Sequence, residues 1–308
     1  MPNPAAGFFG KLPSAGDFVQ RRLPAGFVDA WDRHFENAVA ESRNALGHSW
    51  RDAYDASPVW RFVLASGVCG ESAWAGVMGP GADRVGRCFP MVIAASVGVD
   101  AGSFVQVLRD GSHWFDAAAR VHDTAQADAT ISVDTFDDQV AALAGPLDGA
   151  RPPSTEFMQG VDWSAASHWR LPLPAQPSAT AFLGELWMGI AATPGNWCLW
   201  WTAGGARMPA SVLVTNGLPQ ASAYTGFLDA AHGDAWRSLG RFGDGPGRQP
   251  ESRQPVLHQA VAEPVAQAST APPAAWLPDD FELLSALGIA SEASPDSPRP
   301  AADCRSSS

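Results

Sequence analysis

The side chains best suited to chemistry fall in two short blocks near the N-terminus. Residues 9–24 read FGKLPSAGDFVQRRLP and carry Lys11, Ser14, Asp17 and Arg21. Residues 83–90 read DRVGRCFP and carry Asp83, Arg84 and Arg87. Arg84 and Arg87 stand three positions apart around Gly86. Two guanidiniums in a glycine-containing turn can grip a phosphate or a carboxylate in bidentate fashion. With Asp17 beside them they would form a cluster able to act on an anionic substrate or to present charge to a partner. The same residues also admit an architectural reading, in which an Arg–Asp pair joins the turn to Asp17 or Asp83 within the domain. The complementary charges predict that Asp17 and the Arg84/Arg87 turn lie close together in space.

Backbone constraints shape both blocks. Pro13 and Pro24 fix φ and remove donors. Gly10 and Gly16 allow conformations that a Cβ forbids. Lys11 is the only lysine of the chain, so its place here is specific. Phe89 and Pro90 open a strand-like apolar run.

Signatures of catalysis are missing elsewhere. None of the seven histidines sits in HExxH, HxxxH or HxH. There is no GxSxG elbow, no Walker A loop and no GxGxxG. The carboxylate pairs Asp137-Asp138 and Asp279-Asp280 read as helix caps. Cys69, Cys88, Cys198 and Cys304 form no CxxC pair and have no histidine at ligand spacing. Three of them lie in apolar runs and read as buried reduced thiols, with Cys304 free. The sequence thus predicts no metal, no cofactor and no turnover.

Composition narrows the partners. A formal charge of −12 over 308 residues argues against nucleic-acid backbones and anionic lipid. The N-terminus lacks the charged and apolar regions of a signal peptide, and no apolar run spans a bilayer. A cytoplasmic location without membrane insertion follows as the expectation. Thirteen Trp against two Tyr, many in runs such as WCLWW at 197–201, predict a large aromatic core.

The elements that must position the blocks can be read from periodicity. A strand is predicted over 8–10. A helix over 27–46 places Phe27, Trp31, Phe35, Val39 and Leu46 on one stripe, with Gly47 as its stop. A helical turn or two follows near 50–54. Strands are predicted over 60–65, 73–78 and 89–97, the last apolar enough for a central strand covered on both faces. Helices are predicted over 103–123 and 135–144, and loops over 146–153 and 171–177. An apolar segment over 182–190, strands over 197–202 and 211–214, a turn at 216–217 and a helix over 224–239 complete the body. Interleaved helices and strands predict an α/β class, a layered mixed sheet with helices on both faces. The globular domain is placed at 1–242. Residues 243–308, rich in Pro, Ala and Ser, read as a disordered tail. A short helical island at 276–289 interrupts it and would dock in cis or on a partner.

The two blocks resemble the TagF/ImpM family of type VI secretion-associated proteins. The first agrees at Phe9, Gly10, Lys11, Leu12, Pro13, Ser14, Gly16, Asp17, Phe18, Val19, Arg21, Leu23 and Pro24. The second agrees at Asp83, Arg84, Val85, Gly86, Arg87, Phe89 and Pro90. WRF at 60–62 and GLP at 217–219 look similar too, less specifically. The likeness extends loosely over about residues 7–240. It implies an α/β fold and a cytoplasmic, post-translational repressor of type VI secretion. It implies action by protein–protein binding, with a forkhead-associated-domain scaffold as partner, opposed by a Thr kinase and phosphatase pathway. Ala15 stands where the family often carries a larger polar residue. The tail lacks room and motifs for the phosphatase domain fused in some members. An enzyme acting on an anionic substrate through Asp17, Arg84 and Arg87 is the alternative.

Overall fold

A computed structural model describes residues 5–97, 101–143, 161–173 and 178–239. Its frame is a nine-stranded sheet. In chain order the strands are β1 (Gly7–Gly10), β2 (Val19–Arg21), β3 (Trp60–Leu64), β4 (Ala73–Gly79) and β5 (Met91–Val97). They continue with β6 (His168–Pro172), β7 (Trp197–Thr202), β8 (Ser211–Asn216) and β9 (Arg237–Ser238). The spatial order is β2-β1-β5-β4-β3-β7-β8-β6-β9. Every pairing is antiparallel except β6 with β9. The sheet is therefore mixed, and the α/β class is as the patterning predicts.

Helices cover both faces. They are α1 (Ala25–Leu46), α2 (Trp50–Asp55), α3 (Ala101–Asp110), α4 (Ser112–Ala127), α5 (Val133–Ala141), α6 (Ser178–Ala191) and α7 (Thr225–Leu228). The period-2 alternation of the strands splits the core into two layers. Phe8, Val63, Val77, Ile93, Leu199, Trp201 and Val214 face α3, α4, α5 and α6. Phe9, Phe62, Leu64, Trp74, Val92, Trp200 and Leu213 face α1, α2 and α7. Burial on both faces explains why β5 reads as an unbroken apolar run: it lies between β1 and β4.

The α1 stripe is buried as its spacing predicts, at Phe27, Trp31, Phe35, Val39 and Leu46. Trp31 stacks on Phe27 at 5.3 Å between ring centroids and contacts Phe35 at 4.5 Å and Trp200 at 6.2 Å. The aromatic content is thus spent mainly on the core. Cys69, Cys88 and Cys198 are buried free thiols.

Several predicted elements need correction. The helix over 103–123 is two helices, α3 and α4, meeting at buried Gly111. The break lets α3 pack on α6 while α4 packs on β4. The helix over 224–239 is one short turn, α7. Asp229 ends it, its Oδ1 accepting from Ala231 N at 2.9 Å, and the chain then forms β9. The loop predicted over 171–177 begins inside β6, where Leu171 pairs with Val212 and Pro172 closes the ladder opposite Ser211. β2, three residues long, is not among the predicted strands. Asp137 and Asp138 do not cap α5: Ser132 does, its Oγ accepting from Thr135 N at 3.0 Å. The loop over 146–153, the tail over 243–308, the island at 276–289 and Cys304 lie outside the described residues.

Candidate functional site: the junction of the two motif blocks

The first block leaves β1, turns at Pro13 and Ser14, and returns as β2. The second forms a hairpin tip between β4 and β5, closed by the Ala82↔Cys88 bridge. At its apex Gly86 adopts φ +82°, a left-handed conformation that favours glycine. Gly86 N donates to Asp83 O at 2.8 Å, which closes the turn.

Backbone and side chains join the blocks. Arg84 N donates to Ala15 O at 2.8 Å. Arg87 Nη2 donates to Gly16 O at 2.7 Å. The centre is an ion pair, with Lys11 Nζ 2.7 Å from Asp83 Oδ2 and both side chains almost fully buried. The same Oδ2 accepts from Arg87 Nε at 2.6 Å. Oδ1 accepts from Arg87 N at 2.9 Å and Val85 N at 3.1 Å. Burial alone would push the Asp83 carboxyl up. The hydrogen bonds from Lys11 and Arg87 outweigh it and hold the group well below the usual carboxylate range.

Lys11 also stands 4.4 Å from the centroid of the Phe18 ring, a cation–π contact. Phe18 stacks on Phe9 at 5.3 Å and meets Phe89 edge-on at 4.9 Å, yet remains 41% exposed. Farther along, α2 braces the tip: Arg51 Nη1 donates to Gly86 O at 3.0 Å, while Arg51 Nε holds Asp55 at 2.7 Å. Tyr54, also on α2, donates to Gly81 O and accepts from Gly81 N, both at 3.0 Å.

The blocks therefore meet at Ala15 and Gly16, next to Asp17, and of the two Arg–Asp pairs that the sequence allows the one formed is Arg87 with Asp83. Asp17 is exposed and accepts from Phe18 N at 2.8 Å. Among the described residues it forms no ion pair with Arg84 or Arg87. The physical reason is local: its carboxylate caps the backbone where the chain enters β2, and Asp83 already holds Arg87. Arg84 is exposed and without an ionic partner among the described residues. Arg21 lies apart from the junction, with Nη2 3.7 Å from Asp134 of α5. Its neighbour Arg22 pairs with Asp137 at 2.5 Å, so these two arginines stitch β2 to α5. The Ser14 hydroxyl is buried and has no hydrogen-bond partner among the described residues.

The chemistry available is that of a surface. Phe18, which covers Lys11, and Val85, 70% exposed and between Arg84 and Arg87 in the chain, are the apolar projections of the junction. Neither apolar residue stands out by charge. Their signal is position: Val85 sits in a tight turn with no core to enter, and Phe18 lies at the margin of the core, against Phe9 and Phe89 yet partly exposed.

The family model for the TagF N-terminal domain, type VI secretion system-associated, matches residues 7–143. Both blocks lie inside that span. The crystal structure of PA0076 from Pseudomonas aeruginosa PAO1 is similar over more of the chain, with 32% identity and a TM-score of 0.55. That match covers 73% of this chain and 94% of the other. The chain belongs to the TagF family. No curated protein matches it. As a TagF-family member it is a type VI secretion-associated protein, and the motif junction described above falls within the family-defining region. No described helix is long and apolar enough to cross a membrane.

Proposed function

We propose that this TagF-family protein represses type VI secretion in the cytoplasm by binding a regulator, without turnover. The forkhead-associated-domain scaffold of the system is the partner this reading names. The observation that carries it is the exposed tip of the motif junction. Lys11, Asp83 and Arg87 spend their charge on holding the hairpin. Phe18, Val85 and Arg84 are left facing solvent on a rigid base. Preorganised aromatic and arginine anchors are what protein interfaces use. The tip is cationic on a chain of net charge −12, so it suits an acidic patch and would orient the encounter.

An enzyme built on Asp17, Arg84 and Arg87 gains no support from this arrangement, because Asp17 turns to the backbone, Arg87 is held by Asp83 and Gly16, and Arg84 alone of the three cluster members is left to face outward. The deciding experiment overproduces the protein in a host with an active type VI system and measures release of the secreted tube protein. Reduced release by the wild type, restored by Arg84→Glu with Val85→Ser at equal protein levels, supports the proposal. Unchanged release with the wild type overturns it.

A further inference from the structure

A second site lies away from the motif junction, on the face of the sheet covered by α4 and α6. A cavity of about 430 Å³ opens there, and none of its lining residues belongs to either block. Its walls include Leu108, Phe115 and Trp201. Arg61 of β3 and Asp116 of α4 supply charge, with Arg61 Nη2 2.6 Å from Asp116 Oδ1. That is the one hydrogen bond either side chain makes among the described residues. Arg61 therefore keeps Nε and Nη1 available, and Asp116 keeps Oδ2. The Arg61 side chain is 18% exposed and Asp116 is 48% exposed, so the cation lies deeper than the anion. Arg61 also belongs to the WRF triplet, which the junction does not use.

From this geometry we infer that the cavity binds a free α-amino acid with an apolar side chain. A lone anion would meet Asp116 and a lone cation would meet Arg61, each with a repulsive neighbour. A zwitterion matches both. Its carboxylate takes the free guanidinium edge of Arg61, which favours bidentate contact. Its ammonium donates to the Asp116 carboxylate nearer the mouth. Its side chain covers the wall of Leu108, Phe115 and Trp201. The volume is at the small end of the range for ligand pockets, which suits one small molecule and not a peptide.

Isothermal titration calorimetry on the full chain tests this with four probes: L-phenylalanine, L-leucine, N-acetyl-L-phenylalanine and L-phenylalaninamide. The two free amino acids are expected to saturate the protein. Each blocked analogue, lacking one charge, is expected to bind at least about tenfold more weakly. Asp116→Asn keeps the shape of the side chain. It should weaken L-phenylalanine about tenfold but not the N-acetyl form, whose lone carboxylate is relieved of its repulsive neighbour. Failure of both amino acids to saturate by about 10 mM overturns the inference. So does equal binding of free and blocked forms, or affinity for L-phenylalanine that Asp116→Asn does not alter. The analogue series uses the wild-type chain, so the result stands even if a variant folds poorly.

Discussion

Lys11 and Asp83 are 72 positions apart, and their side chains meet at 2.7 Å with almost no solvent contact. A buried pair of this kind is weak evidence of net stabilisation, since desolvation offsets much of the attraction. Breaking it is another matter. Lys11→Met leaves Asp83 buried with Arg87 as its one remaining cation. A loss of about 3 kcal/mol in urea denaturation is expected. Adding Asp83→Asn to Lys11→Met should recover part of that loss, because the uncompensated charge disappears. A double variant less stable than Lys11→Met would contradict the role given to the pair.

The tip variants should behave differently. Arg84 and Val85 are exposed, so Arg84→Glu and Val85→Ser should each shift stability by no more than about 0.5 kcal/mol. Repression of secretion should nevertheless fall. Stability and function would then separate at neighbouring positions of one motif, as read by denaturation and tube-protein release on the same variants.

Acid should act in two windows. His34 is shifted down from 6.5 to about 4, because burial disfavours the imidazolium. Below pH 6.5 the unfolded chain takes up a proton at this residue that the folded chain refuses. Stability therefore falls from pH 6.5 toward 4, and His34→Gln should flatten that part of a denaturation-versus-pH curve. Asp83 acts lower. Its folded value is depressed, so its stabilisation is complete above the ordinary value of 3.8 and drains away as pH falls below it. Asp83→Asn should shrink the lower limb, to which the depressed Asp229 and Asp128 also contribute, and leave the upper one.

Arg22 is the one non-glycine residue with positive φ among those described, at +61°. Its Nε donates to Ala6 O at 2.7 Å and its guanidinium pairs with Asp137, which together compensate the conformation. Arg22→Asn and Arg22→Val both delete these contacts. Only the β-branched residue is strongly disfavoured in the left-handed region. Arg22→Val should therefore be less stable than Arg22→Asn by about 1–2 kcal/mol in thermal or urea melts.

How far the chain can be read without coordinates depends on how local each determinant is. The α1 stripe and the apolar run of β5 are local patterns, and both are found where the periodicity places them. The split at Gly111 is not local, since it follows from α3 and α4 packing on different neighbours. The false helix over 224–239 has enough apolar residues for a stripe. It fails where Arg170, reaching from β6, takes the Gly226 and Ala230 carbonyls at 2.8 and 3.3 Å. At the junction the right residues are visible and their pairing is not. Charge type alone cannot choose between Asp17 and Asp83. That choice rests on which carboxylate is enclosed and ringed by donors, a property of the folded turn.

The position of β3 has a consequence for synthesis on the ribosome. β3 pairs with β4 on one side and with β7 on the other, Arg61 lying opposite Trp201 and Leu64 opposite Cys198. The family-defining span ends at residue 143, before β7 exists. A nascent chain that has emerged only that far carries the complete motif junction and an open row of backbone donors and acceptors along Trp60–Leu64. Such an edge is a template for pairing between chains. The segment by which the family is recognised is thus shorter than the unit that closes its own sheet, and a fragment cut at residue 143 would invite self-association through β3.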